Sequence, residues 1–432
     1  MRAARVIGVL GAGTMGSGIA QLACRSGART LLHDPIPQAL EQGLRRARDG
    51  LQKEAARGRL TETEAREAAE RLQTVGDLAA FAPCELVIEA VTERLDLKHE
   101  LYRQLSEIVG VECVLATNTS SLLVTAIAAG ASNPERVVGM HFFNPAPIMR
   151  LLEVIAGVES STAALALATA TGEAMGKTVI RAHDGPGFLV NRCNRPFGLE
   201  ALRILQEQIA EIETIDRIVR LEGGFRMGPF ELMDLVGIDT GFEISKSFYE
   251  QSFHEPRWQP SPITARYVAA GLHGRKTGRG YYDYSRDPYR PPDPDQNPNP
   301  NPPGADAKVA PAGGADPRAV PAGGADANAP AGGGVLERIL CQVINECAFA
   351  LGEGVGSAED IDTGMVLGLN YPRGPLAWAD EIGLDRVVTV LDGLWEEYRE
   401  ERYRPAPELK RMVRAGRLGR ASGAGFFEYQ EA

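Results

Sequence analysis

Long apolar runs, an excess of positive charge and paired cysteines are all missing from this sequence. No apolar stretch approaches the roughly 20 residues that a membrane-spanning helix needs. Strand-like sequence begins near residue 5, which leaves no room for a signal peptide. We therefore expect a cytoplasmic protein without membrane contact.

The charge and cysteine content exclude further classes of function. A formal net charge of −11 argues against a nucleic-acid partner, because binding a phosphate backbone requires a basic surface. The six cysteines are scattered, without CxxC pairs or metal-ligand spacing. We predict reduced thiols, mostly in the core, and no metal site. A length of 432 residues indicates two or three domains.

A glycine-rich turn follows the first apolar run. The run ARVIGVL leads into GAGTMG, after which apolar residues recur at helical spacing. A GxGxxG pattern between a strand and a helix permits a tight turn and lets a pyrophosphate approach the helix N-terminus. The predicted dinucleotide contacts in this turn are Gly11, Gly13, Thr14, Met15 and Gly16.

The next predicted strand, at residues 30–33, ends on Asp34. A carboxylate about 20 residues beyond the glycine motif bonds the ribose hydroxyls of NAD. It also repels the additional phosphate of NADP. The sequence therefore predicts NAD as the cofactor.

Residues 35–73 are charged and rich in Ala, Leu and Arg, and they predict two helices broken near Gly58. Lys53, Arg57 and Arg59 lie close to this break. They have two interpretations, a contact with an anionic ligand or a solvated helix face.

Further apolar runs alternate with helical segments. Glu93 and Lys98 follow one of them, at the strand end where ligands of open α/β sheets gather. They are either ligand contacts or a helix-start carboxylate and a surface lysine. The alternation predicts a doubly wound α/β sheet. The later predicted strands are residues 84–90, 113–116, 137–140, 151–155 and 178–181.

The stretch at residues 116–153 contains the most specific candidate chemistry. A turn of sequence ATNTSSL follows one predicted strand, and the next strand leads to His141 in the segment HFFNPAP. Glu153 follows twelve residues later. A carboxylate beside a histidine holds one tautomer and stabilises the imidazolium, as general-base catalysis requires. A histidine after a strand is more often structural, but Glu153 and the upstream NAD motif favour a base.

Ser120 and Asn191 each have a structural alternative. Ser120 is either a substrate contact or the N-cap of a helix predicted at residues 122–129, and the two roles are compatible. Asn191 follows the sequence Gly185-Pro186-Gly187, which marks a domain junction, so it is also a candidate helix-start residue.

Five motifs in this order together resemble the L-3-hydroxyacyl-CoA dehydrogenase family. They are GAGTMGSGIA, VIEAVTERLDLK, ATNTSSL, GMHFFNPAPIMRLLEVI and DGPGFLVNR. The resemblance covers roughly the first two thirds of the chain and extends in weaker form to the C-terminus. It implies a Rossmann-type domain followed by all-α modules similar to the C-terminal domain of 6-phosphogluconate dehydrogenase.

The resemblance also implies roles for individual residues. His141 matches the base that removes the C3 hydroxyl proton, and Glu153 matches the carboxylate that orients it. Ser120 matches a hydroxyl that contacts the reacting region, and Asn191 an amide that polarises the substrate carbonyl. Lys53 or Arg57 lies where the family has a basic contact with the CoA phosphates. The residues that match cofactor contacts are Asp34, Glu93, Lys98 and Asn118.

The implied reaction is reversible, NAD-dependent oxidation of a (3S)-3-hydroxyacyl-CoA to the 3-oxoacyl-CoA, as in β-oxidation. The acyl group is expected to be short or dicarboxylic, such as 3-hydroxybutyryl or the 3-hydroxyadipyl group of phenylacetate degradation. One alternative is a hydroxy-acid dehydrogenase without CoA, of the L-gulonate dehydrogenase and lambda-crystallin branch. The other is a nucleotide-binding protein without turnover.

The C-terminal half contains an internal repeat. The sequence GRGYYDY is echoed by GAGFFEY near the C-terminus, and Asn191 aligns with Glu337. Because the second copy has nothing like DGPGFLVNR, we predict that it is architectural. Three pairs recur at an offset of 146 residues, namely Ile215-Asp216 and Ile361-Asp362, Gly228-Pro229 and Gly374-Pro375, and Gly237-Ile238-Asp239 and Gly383-Leu384-Asp385.

The predicted domains follow from these observations. Residues 1–184 form the NAD-binding domain, 185–284 the first helical module and 335–432 the second. Residues 285–334, rich in Pro, Gly, Ala, Asp and Asn, are predicted to be a flexible linker. In short family members the single helical module forms the dimer contact. The second module therefore leaves two arrangements open, an internal pseudo-dimer and a homodimer of full chains.

Overall fold

The computed structural model of the chain describes residues 2–285 and 334–429. The predicted flexible linker, apart from its first and last residues, lies outside these ranges. Among the described residues, none of the helices combines the length and apolar character that crossing a bilayer requires.

The N-terminal part forms one eight-stranded sheet with the order β3-β2-β1-β4-β5-β6-β7-β8. The central strands are apolar and buried on both faces, as parallel strands covered by helices require. The strands are β1 (Val6–Leu10), β2 (Arg29–His33), β3 (Leu72–Thr74), β4 (Leu86–Glu89), β5 (Val114–Thr117), β6 (Val137–Phe142), β7 (Leu151–Ala156) and β8 (Thr178–His183).

Six helices accompany this sheet. The predicted break near Gly58 is confirmed, since Gly58 has a φ of 69° and separates two helices. Thr61 then begins the next helix with a capping box to Glu64. The helices are α1 (Thr14–Arg25), α2 (Pro37–Ala56), α3 (Glu62–Arg71), α4 (Leu95–Ile108), α5 (Val124–Ala128) and α6 (Thr162–Ala174).

The predicted doubly wound sheet is confirmed, with two differences from the predicted strands. The short strand β3 at one edge was not predicted, because its three residues are too few to show a period. The alternation of strands and helices is also interrupted between β6 and β7. Strand β7 follows β6 without a helix between them and runs antiparallel to it, whereas β8 returns parallel to β7.

The rest of the chain is helical. Gly187, in the junction between sheet and helices, has a φ of 72°. A side chain there would collide with the ring of Phe248, whose nearest atom lies 1.8 Å from an added Cβ. The helices are α7 (Val190–Cys193), α8 (Arg195–Gln206), α9 (Ile212–Leu221), α10 (Pro229–Val236), α11 (Ile238–Gln251), α12 (Pro262–Ala269), α13 (Val335–Gly352), α14 (Ala358–Leu369), α15 (Pro375–Ile382), α16 (Leu384–Tyr398) and α17 (Pro407–Arg414).

The predicted duplication is confirmed by repeated hydrogen bonds. Asp216 accepts two backbone N–H bonds in the first turn of α10, both at 2.9 Å. Asp362 does the same in α15, at 2.8 and 2.9 Å. Asp234 accepts two amides and a tyrosine hydroxyl from GRGYYDY, and Asp380 makes the same three bonds with GAGFFEY. The two helical modules therefore share one local design.

The second module packs on the first within the chain. Helix α13 is buried along most of its length and contacts α7, α8 and α9 as well as helices of its own module. Helix α14 contacts α7 and the β7–β8 edge of the sheet. Arg192 bridges the modules through Glu346 and Glu353, with N–O distances of 2.8 and 2.7 Å. The boundary predicted after residue 184 lies between β8 and α7, and the domain limits stay predictions.

Candidate functional site

A buried pair of titratable side chains lies where β6 and β7 run antiparallel. Their register places His141 directly opposite Glu153, and His141 Nδ1 lies 2.6 Å from Glu153 Oε2. A carboxylate in this position accepts the proton of Nδ1, which leaves Nε2 as the free acceptor of the neutral ring. The two predicted catalytic residues are therefore in contact, and His141 is oriented for proton transfer.

Glu153 is itself held by the backbone of the helical region. Its Oε1 accepts N–H bonds from Leu189 at 3.2 Å and from Val190 at 3.0 Å. Phe143 and Phe188 flank the imidazole of His141, with ring centroids 4.8 and 5.7 Å away. The carboxylate therefore cannot rotate freely, and the apolar rings restrict water around the histidine.

The turn of sequence NTSS follows β5 and lies beside this pair. Asn118 Oδ1 accepts the N–H of Phe142, next to His141, at 2.9 Å. Glu93 Oε1 accepts the N–H groups of Ser120 and Ser121 at 3.0 and 3.1 Å. Glu93 therefore holds the turn in place, and the side chain of Ser120 is exposed.

Lys98 holds the turn indirectly, through its ion pair with Glu93. Its Nζ lies 3.0 Å from carboxylate oxygens of Glu89 and of Glu93, and its side chain is only 1% exposed. The surface interpretation of Lys98 is therefore wrong. Burial opposes ionisation of Glu93, but the Lys98 ammonium and the Thr119 hydroxyl outweigh it and lower the Glu93 pKa to about 2. Sequence reasoning missed Glu89, although a charged residue at the end of an apolar strand was a signal.

The interpretation of Ser120 as an N-cap is wrong. Helix α5 begins later than predicted, at Val124, and Asp184 binds its first amides. The two oxygens of Asp184 accept the N–H groups of Val124 and Thr125 at 3.0 and 2.7 Å. Sequence reasoning missed Asp184, because the partner helix lies 60 residues away along the chain.

The glycine-rich turn has the shape that a dinucleotide requires. A Cβ on Gly11 would lie 2.6 Å from the carbonyl oxygen of Ala90, and one on Gly16 would lie 1.9 Å from that of Gly11. A Cβ on Gly13 would meet no atom within 4 Å. Two glycines thus allow close packing, while Gly13 faces open space at the N-terminus of α1. That helix has no side-chain cap, so its first N–H groups are available to a phosphate.

Asp34 completes the candidate cofactor site at the end of β2. Its carboxylate accepts the N–H of Ala12 in the glycine-rich turn and that of Ile36, both at 2.9 Å. Thr14 is exposed and Met15 is half-buried at the start of α1. The residues present therefore fit NAD, with Asp34 beside the turn where a ribose would lie.

A cavity of about 200 Å³ lies in the first helical module. Asn191, the second residue of α7, lines one side of it, so the interpretation as a helix-start residue is confirmed. Asn191 directly follows Val190, whose amide binds Glu153, so one residue separates this wall of the cavity from a contact of the His141–Glu153 pair along the chain. His141 and Glu153 are not among the residues that line the cavity. The second module contributes Leu369 to the wall.

The two predicted CoA contacts lie apart from these residues. Lys53 belongs to the last turn of α2 and Arg57 is its C-cap, and both side chains are exposed. Neither side chain has an ion-pair partner among the residues described.

Two family models match the chain. The model described as 3-hydroxyacyl-CoA dehydrogenase, NAD binding domain, matches residues 6–185. The model described as 3-hydroxyacyl-CoA dehydrogenase, C-terminal domain, matches residues 187–284 and 333–429.

Individual relatives resemble the chain over different lengths. The 3-hydroxyadipyl-CoA dehydrogenase of Escherichia coli (strain K12) is 35% identical, over 95% of this chain and 97% of that protein. A probable 3-hydroxybutyryl-CoA dehydrogenase of Bacillus subtilis (strain 168) is 40% identical, over 64% of this chain and 96% of that protein. The crystal structure of a 3-hydroxybutyryl-CoA dehydrogenase from Escherichia coli K12 has a TM-score of 0.85 at 33% identity, and covers 96% of this chain and 99% of that chain.

Proposed function

The chain belongs to the 3-hydroxyacyl-CoA dehydrogenase family and is an NAD-dependent dehydrogenase, and we propose that His141 and Glu153 perform its proton transfer. The observation that supports this most strongly is the buried 2.6 Å contact between His141 Nδ1 and Glu153 Oε2. The second oxygen of Glu153 is held by two backbone amides. The pair is thus fixed in position before a substrate binds.

In the oxidative direction, Nε2 of His141 accepts the proton of the C3 hydroxyl while the C3–H bond breaks and its hydride leaves. Bound NAD supplies the acceptor of that hydride. Glu153 stabilises the imidazolium that forms, and in the reductive direction His141 returns the proton to the oxygen at C3. A positioned base of this kind typically contributes about 10²- to 10⁴-fold to the rate.

Ser120 and Asn191 are proposed to donate hydrogen bonds to substrate oxygens. The Ser120 side chain is exposed at the turn that Glu93 holds. Asn191 lines the cavity in the first helical module, one residue after the Val190 amide that binds Glu153. Donors placed before charge develops on oxygen stabilise that charge without reorganising.

We propose that the substrate is a short-chain or dicarboxylic 3-hydroxyacyl-CoA. The relatives named above act on 3-hydroxybutyryl-CoA or 3-hydroxyadipyl-CoA according to their names. The cavity volume of about 200 Å³ suits a short acyl group. The exposed cations Lys53 and Arg57 are the proposed contacts with the CoA phosphates.

The test is NADH consumption by the purified protein with acetoacetyl-CoA, with NADPH and free acetoacetate as controls. Rapid oxidation that requires both NADH and the CoA thioester is the expected result. Turnover of free acetoacetate at the same rate would exclude CoA recognition. The absence of turnover with NADH still bound would exclude the short unsubstituted acyl group and would leave a different acyl group or the branch without CoA.

We also propose that the second helical module makes an internal pseudo-dimer with the first. The packing of α13 across α7, α8 and α9 supports this arrangement. The full chain is then expected to sediment as a monomer of 46.4 kDa. Sedimentation at twice that mass at micromolar concentration would contradict the proposal.

A further inference from the structure

One cation lines the cavity in the first helical module without a carboxylate partner. Arg195, at the start of α8, is the only charged side chain among the described residues of a wall that is mainly apolar. The described residues provide no ion pair for its guanidinium. Arg192, three positions earlier, differs sharply, because Glu346 and Glu353 bind it at 2.8 and 2.7 Å.

The few contacts of Arg195 orient it without neutralising it. Nη1 donates to Ser245 Oγ at 2.8 Å, and the guanidinium lies 4.9 Å from the ring centroid of Phe248. Nε is buried and has no acceptor among the described residues. A guanidinium stacked on one face keeps its remaining N–H donors in the plane, where a carboxylate binds in a fork.

The charge of Arg195 persists although its surroundings disfavour it. Burial lowers the pKa of Arg195 to about 10, so the side chain remains protonated at neutral pH. Arg195 is half-buried and its Nε is shielded from water, and a charge partly removed from water without a counter-ion carries a cost. An anion that enters the cavity would relieve that cost and would bind preferentially for that reason.

The position of Arg195 defines where the anion lies on a substrate. Asn194 joins α7 to α8 in a helical conformation, with φ −81° and ψ −13°. Asn191 and Arg195 are therefore neighbours on one helical face, with Cβ atoms about 5–6 Å apart. Asn191 and Arg195 line the same cavity, so a ligand whose reacting end meets Asn191 brings a group a few bonds away within reach of Arg195.

We propose that Arg195 binds the distal carboxylate of a dicarboxylic 3-hydroxyacyl-CoA and thereby selects a diacid over a neutral acyl chain. This inference rests on the proposed function, because it assumes that Asn191 lies at the reacting centre. Ser245 and Phe248 hold the guanidinium, and among the described lining residues no second cation competes for a carboxylate. A neutral acyl chain of equal length would leave Arg195 unpaired in the complex.

The test compares 3-oxoadipyl-CoA with 3-oxohexanoyl-CoA, which has a methyl group in place of the distal carboxylate, and includes acetoacetyl-CoA. We expect the wild-type kcat/KM to favour the diacid about 10- to 100-fold, the range of one charged hydrogen-bonded contact. Arg195→Met should abolish this ratio, and Arg195→Lys should keep part of it. Arg217→Met, at an exposed position of the same module, is the matched control and should leave the ratio unchanged.

The outcomes separate this inference from the function on which it rests. A wild-type enzyme that reduces acetoacetyl-CoA but shows no preference for the diacid would overturn the role of Arg195 alone. A preference that survives in Arg195→Met would do the same. A protein that reduces none of the three thioesters would refute the proposed function instead. If Arg195→Met does not fold, the wild-type ratio and Arg195→Lys still decide the question.

Discussion

His141 depends on residues from three separate parts of the chain. Glu153 orients its ring from β7, and the amides of Leu189 and Val190 in turn fix Glu153. Asn118 binds the backbone next to His141 from the turn after β5. The base is therefore positioned by contacts with residues distant in sequence, which no local sequence pattern specifies.

Replacing His141 with Ala should reduce kcat by about 10²- to 10⁴-fold, because the base that accepts the hydroxyl proton is lost. NADH binding should be retained, since the glycine-rich turn and Asp34 are untouched. Stopped-flow turnover with acetoacetyl-CoA and NADH fluorescence titration measure the two effects. His183→Ala, at an exposed position, is the control, and near-normal turnover of His141→Ala would contradict the assignment.

Replacing Asp34 with Ala should weaken NADH binding and relax the rejection of NADPH. The carboxylate beside the glycine-rich turn is the proposed ribose contact and the group that repels a 2′-phosphate. The dissociation constants of NADH and NADPH, measured by fluorescence, give the cofactor preference as their ratio. Asp49→Ala on the exposed face of α2 is the control, and an unchanged preference in Asp34→Ala would show that another residue selects the cofactor.

At the scale of elements, two connections create the site. The antiparallel pairing of β6 with β7 places His141 opposite Glu153, although they are twelve residues apart in sequence. The turn after β5 is held by Glu93, whose carboxylate is in turn held by Lys98 at 3.0 Å. A parallel β7 would have changed this register, so the reversal of direction after β6 has a direct consequence for chemistry.

The Glu93 carboxylate should make the fold sensitive to acid. The pKa of Glu93 in the folded protein is about 2, below the ordinary value of 4.5. The ionised carboxylate therefore stabilises the folded state fully above pH 4.5. That stabilisation is lost as the pH falls from 4.5 towards 2. The free energy of unfolding in urea should differ between wild type and Glu93→Gln, and this difference should shrink as the pH falls across this range.

Glu112 is exposed, and Glu112→Gln is the control for the general effect of replacing a glutamate with glutamine. A difference between wild type and Glu93→Gln that stays constant from pH 7 to pH 2 would contradict a stabilising role for the Glu93 charge.

At the scale of the whole molecule, buried ion pairs join the two helical modules. Arg338 of α13 is bound by Glu200 of α8, by Glu207 just after α8 at 2.7 Å, and by the Tyr403 hydroxyl at 2.8 Å. The Arg338 side chain is only 4% exposed. The junction therefore combines an apolar surface with a charged pair, Arg338 and Glu200, that is almost fully shielded from water.

Arg338→Met should destabilise the protein by about 3–5 kcal/mol, because it leaves Glu200 buried without its cation. The free energy of unfolding in urea measures the loss. Arg386 pairs with Glu337, and its side chain is 52% exposed. Arg386→Met should therefore cost at most about 1 kcal/mol. Equal effects of the two substitutions would show that the buried pair contributes no more than the exposed one.

Several features were predictable from sequence because they depend on neighbours along the chain. Strand and helix periodicity, the glycine-rich turn and the break near Gly58 all arise from residues within about 20 positions of one another. The repeat was predictable because duplicated residues keep a constant offset. The same locality explains why β3, with three residues, and the cap that Asp184 provides to α5 were missed.

The sequence by itself determined the doubly wound NAD-binding sheet, the two related helical modules and the residue types for the chemistry. Only the tertiary structure decided that β7 reverses against β6, that Lys98 is buried between carboxylates, and that Arg195 faces an otherwise uncharged cavity. These facts depend on contacts between residues far apart in sequence. The physical reason is that burial and charge pairing are properties of the packed molecule, whereas periodicity belongs to the chain.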